Sequence, residues 1–208
     1  MKDISTDINS RLPFDGAYAL AEITDLSRDI LEELNESEKQ ELTAITSQHR
    51  QREYLTSRHT LKILGASLGI KKLIIQKDDL GQPYGRGDDD HFYISIAHTD
   101  QTVFCGISVA HPIGLDLEPI SRKVPDRLQS RILHPREDSA IRALAPIRLW
   151  TIKEAYIKLR GQGLRLNMND VRILERDGQY EAEINNDKRA KICSFHTGNN
   201  WLAVAHYL

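Results

Sequence analysis

The chain has 208 residues, 40% apolar and 28% charged, with 28 Lys and Arg against 30 Asp and Glu for a formal charge of −2. That length supplies one large domain or two small ones that fold without cross-links, and the near-neutral balance excludes a global field favouring nucleic acid. No run approaches the roughly 18 apolar residues of a bilayer span. Met1 to Ser10 has neither the apolar core of a signal peptide nor a basic amphipathic pattern. Cys105 and Cys193 stand alone, without C-x-x-C spacing or a histidine cluster, so a reducing cytoplasm is expected rather than a disulfide or zinc framework.

Leu31 to Leu68 carries a helical pattern, with Asn35 or Ser37 placed to cap a helix that starts at Glu38. Leu61, Leu64 and Leu68 mark its apolar stripe and Gly69 its end. Leu73 to Ile75 reads as a short strand, and Asp78 to Gly85 as a loop, because its Gly and Pro residues interrupt regular structure. The acidic run Asp88-Asp89-Asp90 reads as a hydrated loop. Phe92 to Ile96, Val103 to Val109 and Ile113 to Leu117 then form three strands of a small sheet.

Leu128 to Leu144 reads as helical with a break at Pro135, and Arg148 to Arg160 as a second helix ended by Gly161 and Gly163. Two hairpins follow: Val171 to Ile184, turning at Asp177-Gly178, and a second turning near Thr197-Gly198-Asn199 into Trp201 to Tyr207. The class is mixed α and β, with a boundary at His111-Pro112 that divides 1–111 from 112–208.

Three groups of residues carry chemistry. In Ile113-Gly114-Leu115-Asp116-Leu117-Glu118 the acids alternate with apolar residues, so both leave one face of a strand. Two strand steps separate such carboxylates by about 6 to 7 Å, where repulsion at an effective dielectric near 20 is about 2 to 3 kcal/mol. A half-buried pair of this kind calls for a cation, and hard oxygen donors suit magnesium; two solvated acids on an edge strand are the plainer reading.

On the helix around Trp150, residues Ile152, Tyr156 and Leu159 form the inner stripe while Glu154 and Lys158 stand one turn apart beside it. Arg50, Tyr54 and Arg58 recur every four residues, which brings the two arginines to within about 80° of each other, near enough for one anion or for an ordinary solvated face. His98 lies where a strand ends, at a rim from which it can donate to a phosphate oxygen, and no H-x-H or H-E-x-x-H spacing accompanies it.

Taken in order, Gly81-Gln82-Pro83-Tyr84, Ser95 to Thr99, Gly114-Leu115-Asp116-Leu117-Glu118 and Trp150-x-x-Lys153-Glu154-Ala155-x-x-Lys158 with Gly161-x-Gly163-Leu164 resemble the 4′-phosphopantetheinyl transferase superfamily. Preceded by Arg50-x-x-Glu53-Tyr54-Leu55-x-x-Arg58, they look like its larger monomeric group, over about Arg50 to Leu164. The resemblance implies an α+β fold of two pseudo-twofold-related halves with coenzyme A in the cleft between them. It implies transfer of 4′-phosphopantetheine to a serine of an apo acyl or peptidyl carrier protein, with magnesium on Asp116, Glu118 and Glu154. Lys153 and Lys158 then look like pyrophosphate contacts, and Arg50, Arg58, His98 and Thr99 like contacts to the nucleotide phosphates. Gln82 and Pro83 look like part of the adenine wall.

Glu154 is the expected base, with Glu118 as the other candidate and Lys158 assisting the leaving oxygen. Ala97-His98-Thr99 stands where the family often has Ser-His-Ser, and Gln82 replaces a frequent Lys, both changes that weaken contacts to coenzyme A. A non-catalytic module that binds coenzyme A or a carrier is the alternative. A nucleotide hydrolase ranks lower because no G-x-x-x-x-G-K-[ST] loop occurs. The expected protein is a cytoplasmic monomer with no membrane or nucleic-acid partner.

Overall fold

A computed structural model describes residues 16–23, 28–87, 90–162, 166–176, 178–185 and 187–208. Met1 to Ser10, Asp88, Asp89, Gly163, Leu164 and Asp177, on which parts of the sequence reading fall, lie outside the described residues. The chain divides into two compact units, Met1–Ala110 and His111–Leu208.

The first unit runs β1 (Gly16–Glu22), α1 (Arg28–Glu32), α2 (Glu36–Ala44), α3 (Gln48–Ser67), β2 (Ile74–Lys77), β3 (Pro83–Gly87), β4 (Asp90–His98) and β5 (Thr102–Ser108). Its antiparallel sheet has the order β1-β5-β4-β3-β2, so the last strand returns to pair with the first. Helix α3 lies across β1 and β5 and buries Leu61 and Leu64 among Ile75, Ile94, Val103 and Ile107.

The helical pattern from Leu31 to Leu68 is cut into three helices rather than one. Asn35 and Glu38 form a reciprocal capping box, which starts α2 at Glu36, two residues before the expected position. Ile45 to Ser47 then leaves the helix. Ser47 caps α3 through the Arg50 N–H, and the Gln51 amide donates to the Ile45 carbonyl, so the break satisfies its own backbone groups.

The expected loop from Asp78 to Gly85 ends early, because Pro83–Gly87 is a strand paired on both sides. Pro83 opens it, the place where a missing N–H is best tolerated. The bend belongs to Gly81 at φ +83°, with the Asp78 carboxylate accepting from the Leu80 and Gln82 N–H groups. Gly85 serves packing instead: a Cβ there would stand 2.8 Å from Leu73 Cδ1.

The second unit runs β6 (Ile113–Pro119), α4 (Asp126–Ile132), α5 (Ser139–Arg142), α6 (Pro146–Arg160), β7 (Arg172–Arg176), β8 (Gln179–Ile184), β9 (Asp187–Thr197) and β10 (Asn200–Tyr207). Its sheet order, β6-β10-β9-β8-β7, repeats the path of the first unit: strand, helices, then a four-strand meander closing on the opening strand. The fold is therefore α+β, with two antiparallel sheets of equivalent topology. Ile113 to Leu117 belongs to this second sheet, not to the sheet of β4 and β5, because it pairs residue for residue with the distant β10. Among the described residues, no helix is long and apolar enough to cross a membrane.

Candidate active site

Gly114, Asp116 and Glu118 share one face of β6, and α6 crosses that face. The approach is closest at Gly114, where a Cβ would stand 2.0 Å from the Ala155 carbonyl oxygen and 2.5 Å from Leu159 N. Ile152, Ala155, Tyr156 and Leu159 anchor the helix in the core of this unit. Gly161, left-handed at φ +66°, ends it by donating to the Lys158 carbonyl.

Two repeats then fall into step. Four helical residues rise about 6 Å and two strand residues about 6.6 to 6.8 Å, so positions i, i+4 and i+8 of α6 can match alternate positions leading out of β6. Lys158 Nζ donates to Asp116 Oδ1 at 2.8 Å. Glu154, one turn earlier, shares the electrostatic field of Glu118 and Asp116. Trp150, a further turn back, lies under the Arg122 guanidinium, 5.6 Å from ring centroid to Cζ. Arg122 in turn donates to Glu118 Oε1, because a turn closed by Arg122 N on the Pro119 carbonyl folds the chain back over the strand end.

The acids are held in an unfavourable setting. Burial pushes Asp116 up from 3.8 to about 7, opposed by Lys158 and reinforced by Glu154 and Glu118. Burial also raises Glu154, opposed by Lys158 and reinforced by Glu118. Asp116 Oδ2 is buried with no hydrogen-bond partner among the described residues. Such an orphaned carboxylate oxygen, beside two further carboxylates, is the donor chemistry of a hard divalent cation. Among the described residues, no three His, Cys, Asp or Glu side chains already stand as a metal-binding cluster; Asp116 leans on Lys158 and Glu118 on Arg122.

Lys153 stands one residue before Glu154 on α6. It is wholly buried, and its Nζ pairs with Glu137 Oε1 at 2.7 Å while donating to the carbonyls of Ile132, Val171 and Met168. Its charge is neutralised inside the unit. Glu137, which the sequence reading did not single out, also accepts from the His134 and Ile173 N–H groups. The pair ties α6 to the α4–α5 loop and to β7, and so fixes the helix that carries Glu154.

Arg58 is buried at 3% exposure, with its guanidinium between Glu38 and Glu41 and 4.3 Å above the Tyr54 ring. Arg50 stays exposed in the first turn of α3. His98, at the exposed end of β4, meets Glu53 of α3 at 3.1 Å. The Thr99 hydroxyl accepts from the Gln101 and Thr102 N–H groups and so shapes the turn beside His98. Gln82 and Pro83 are half-buried at the start of β3. Tyr84, the next residue of β3, pairs with Tyr93 of β4.

Residues 112–205, nearly all of the second unit, match the sequence model of the 4′-phosphopantetheinyl transferase superfamily. The second unit is thus similar in sequence to that superfamily. It is 25% identical over 173 residues to the 4′-phosphopantetheinyl transferase gsp of Aneurinibacillus migulanus, covering 73% of this chain and 70% of that protein. To the 4′-phosphopantetheinyl transferase Sfp of Bacillus subtilis (strain 168) it is 33% identical over 137 residues, covering 59% of this chain and 60% of that protein. The solved holo-[acyl-carrier-protein] synthase (AcpS) of Thermotoga maritima aligns at 25% identity with a TM-score of 0.39, over 46% of this chain and 62% of that one.

Proposed function

We propose that this chain transfers the 4′-phosphopantetheine arm of coenzyme A to a serine of an apo acyl or peptidyl carrier protein. The matched row of Lys158 on Asp116, Glu154 beside Glu118 and Arg122 over Trp150 carries this reading, because it concentrates three acids and movable cations on a unit similar in sequence to the transferase superfamily. Asp116, Glu118 and Glu154 would hold magnesium, which when bound supplies neutralisation of diphosphate charge.

The chain's own groups do the rest. Lys158, half-exposed beside Asp116, sets a positive charge against the diphosphate. Glu154 takes the proton of the carrier serine, its basicity raised by burial, with Glu118 as the other candidate. The serine oxygen bonds to the β-phosphorus as the bond to the bridging oxygen breaks, and that electron pair leaves with 3′,5′-adenosine bisphosphate. Exposed Arg50 and His98 would meet the nucleotide phosphates, and Gln82 and Pro83 the adenine. Two topologically equivalent units in one chain support action as a monomer, and a reducing cytoplasm is the compartment proposed for it.

Chromatography of the nucleotide product tests this reading against a panel of apo carriers. Release of 3′,5′-adenosine bisphosphate should require both magnesium and a carrier; release without any carrier would identify a hydrolase instead, and binding of coenzyme A without release a non-catalytic module.

A further inference from the structure

We propose that Arg122 is an exchangeable counter-ion: it pairs with Glu118 and yields that carboxylate when a divalent cation binds. The inference rests on the metal reading above and adds a residue that none of the motifs contains.

The molecule shows two ways of neutralising a buried acid. Glu137 and Lys153 are both fully buried, and the lysine donates to three carbonyls besides, so that pair cannot separate without leaving several buried groups unsatisfied. Arg122 is built differently. Its side chain is 51% exposed while Glu118 is 12% exposed, and among the described residues its guanidinium is held by a Glu118 oxygen and the face of Trp150. A guanidinium with one carboxylate partner and open solvent on its other side is re-hydrated as it leaves, so little opposes its departure.

Its charge also reaches the second acid of the proposed metal set. Arg122 lowers the charge cost at Glu154 as well as pairing with Glu118, so a single positive group already serves both acids. Lys158 does the same for Asp116 and Glu154. With its acids parked on these two cations, the chain keeps a buried acidic cluster folded before any metal arrives. A divalent ion must then displace Arg122 from Glu118, and the competition weakens its apparent affinity. The displaced guanidinium shifts over Trp150 and is free to meet an anionic group of an incoming substrate.

Calorimetric titration of magnesium into the full chain, without coenzyme A or carrier, tests this directly. Arg122→Gln should lower the Kd about 3- to 10-fold by removing a competing positive charge near the site, and Arg122→Lys should give an intermediate value. In a Trp201→Phe background, tryptophan fluorescence should respond to magnesium in the chain with Arg122 and not in the Arg122→Gln variant. An unchanged or raised Kd for a folded Arg122→Gln would overturn the inference while leaving the metal site standing. Absence of magnesium binding in both proteins would overturn the metal reading and this inference with it.

Discussion

Gly114 lies directly beneath the Ala155 carbonyl: a Cβ added to the glycine would stand 2.0 Å from that oxygen, far inside van der Waals contact. The contact is with helix backbone and cannot be relieved by a rotamer change. Gly114→Ala must lift α6 from β6 and part Lys158 from Asp116. Urea unfolding should show a loss of about 2 kcal/mol or more, at the upper end for overpacking, and transfer activity should fall with it.

Lys153 and Glu137 form a buried pair whose separation strands a charge. Burial lowers the lysine's affinity for its proton, and Glu137 raises it again. Glu137→Gln and Lys153→Met should each cost about 3 to 5 kcal/mol, and the double variant should cost less than the sum, since neither charge is then stranded. A pyrophosphate contact would give the opposite pattern, with unchanged stability and a raised KM for coenzyme A.

Asp116 links the site to pH. Its carboxyl is raised from 3.8 to about 7, so between those values the folded chain binds more protons than the unfolded one. Its contribution to stability is complete below about pH 3.8 and is lost as pH rises through about 7. Asp116→Asn carries no such penalty. It should stabilise the metal-free chain at pH 8, by at most about 4 kcal/mol, match the wild type near pH 4, and abolish transfer. Thermal unfolding at both pH values in chelator reads the difference.

Arg58 and Arg50 should separate cleanly. Arg58→Ala leaves Glu38, wholly buried, with Lys62 as its remaining ion-pair partner, and should cost about 2 to 4 kcal/mol. Arg50→Ala removes an exposed side chain and should change stability by less than about 0.5 kcal/mol. A raised KM for coenzyme A is expected from Arg50→Ala, measured in steady-state assays.

Local chemistry was the legible part of this fold. The Asn35 cap follows from a side-chain oxygen that accepts from the Glu38 N–H, and the end of α6 at Gly161 and the hairpin turn at Gly198 from glycine's access to positive φ. Strand alternation also placed Asp116 and Glu118 on one face. Partner choice was not legible, because alternation tells which side of a strand is buried and not which strand lies beside it; hence β6 was assigned to the wrong sheet. The same limit hid the fates of the cations. Lys153 and Lys158 sit five residues apart on one helix, yet one faces Glu137 in the core and the other Asp116 at the rim. Nothing local marked Glu137, whereas Arg122 had a signal in its spacing from Glu118 across the Pro119 turn.

The mass of a carrier protein after incubation with coenzyme A, magnesium and this chain tests the central claim most directly, with a folded Glu154→Gln variant run beside it. The wild-type chain should make the carrier heavier by one phosphopantetheine, and the variant should leave it unchanged over the same interval. No added mass with any apo carrier, or equal gain from both proteins, would contradict the assignment of transfer to the acids of β6 and α6.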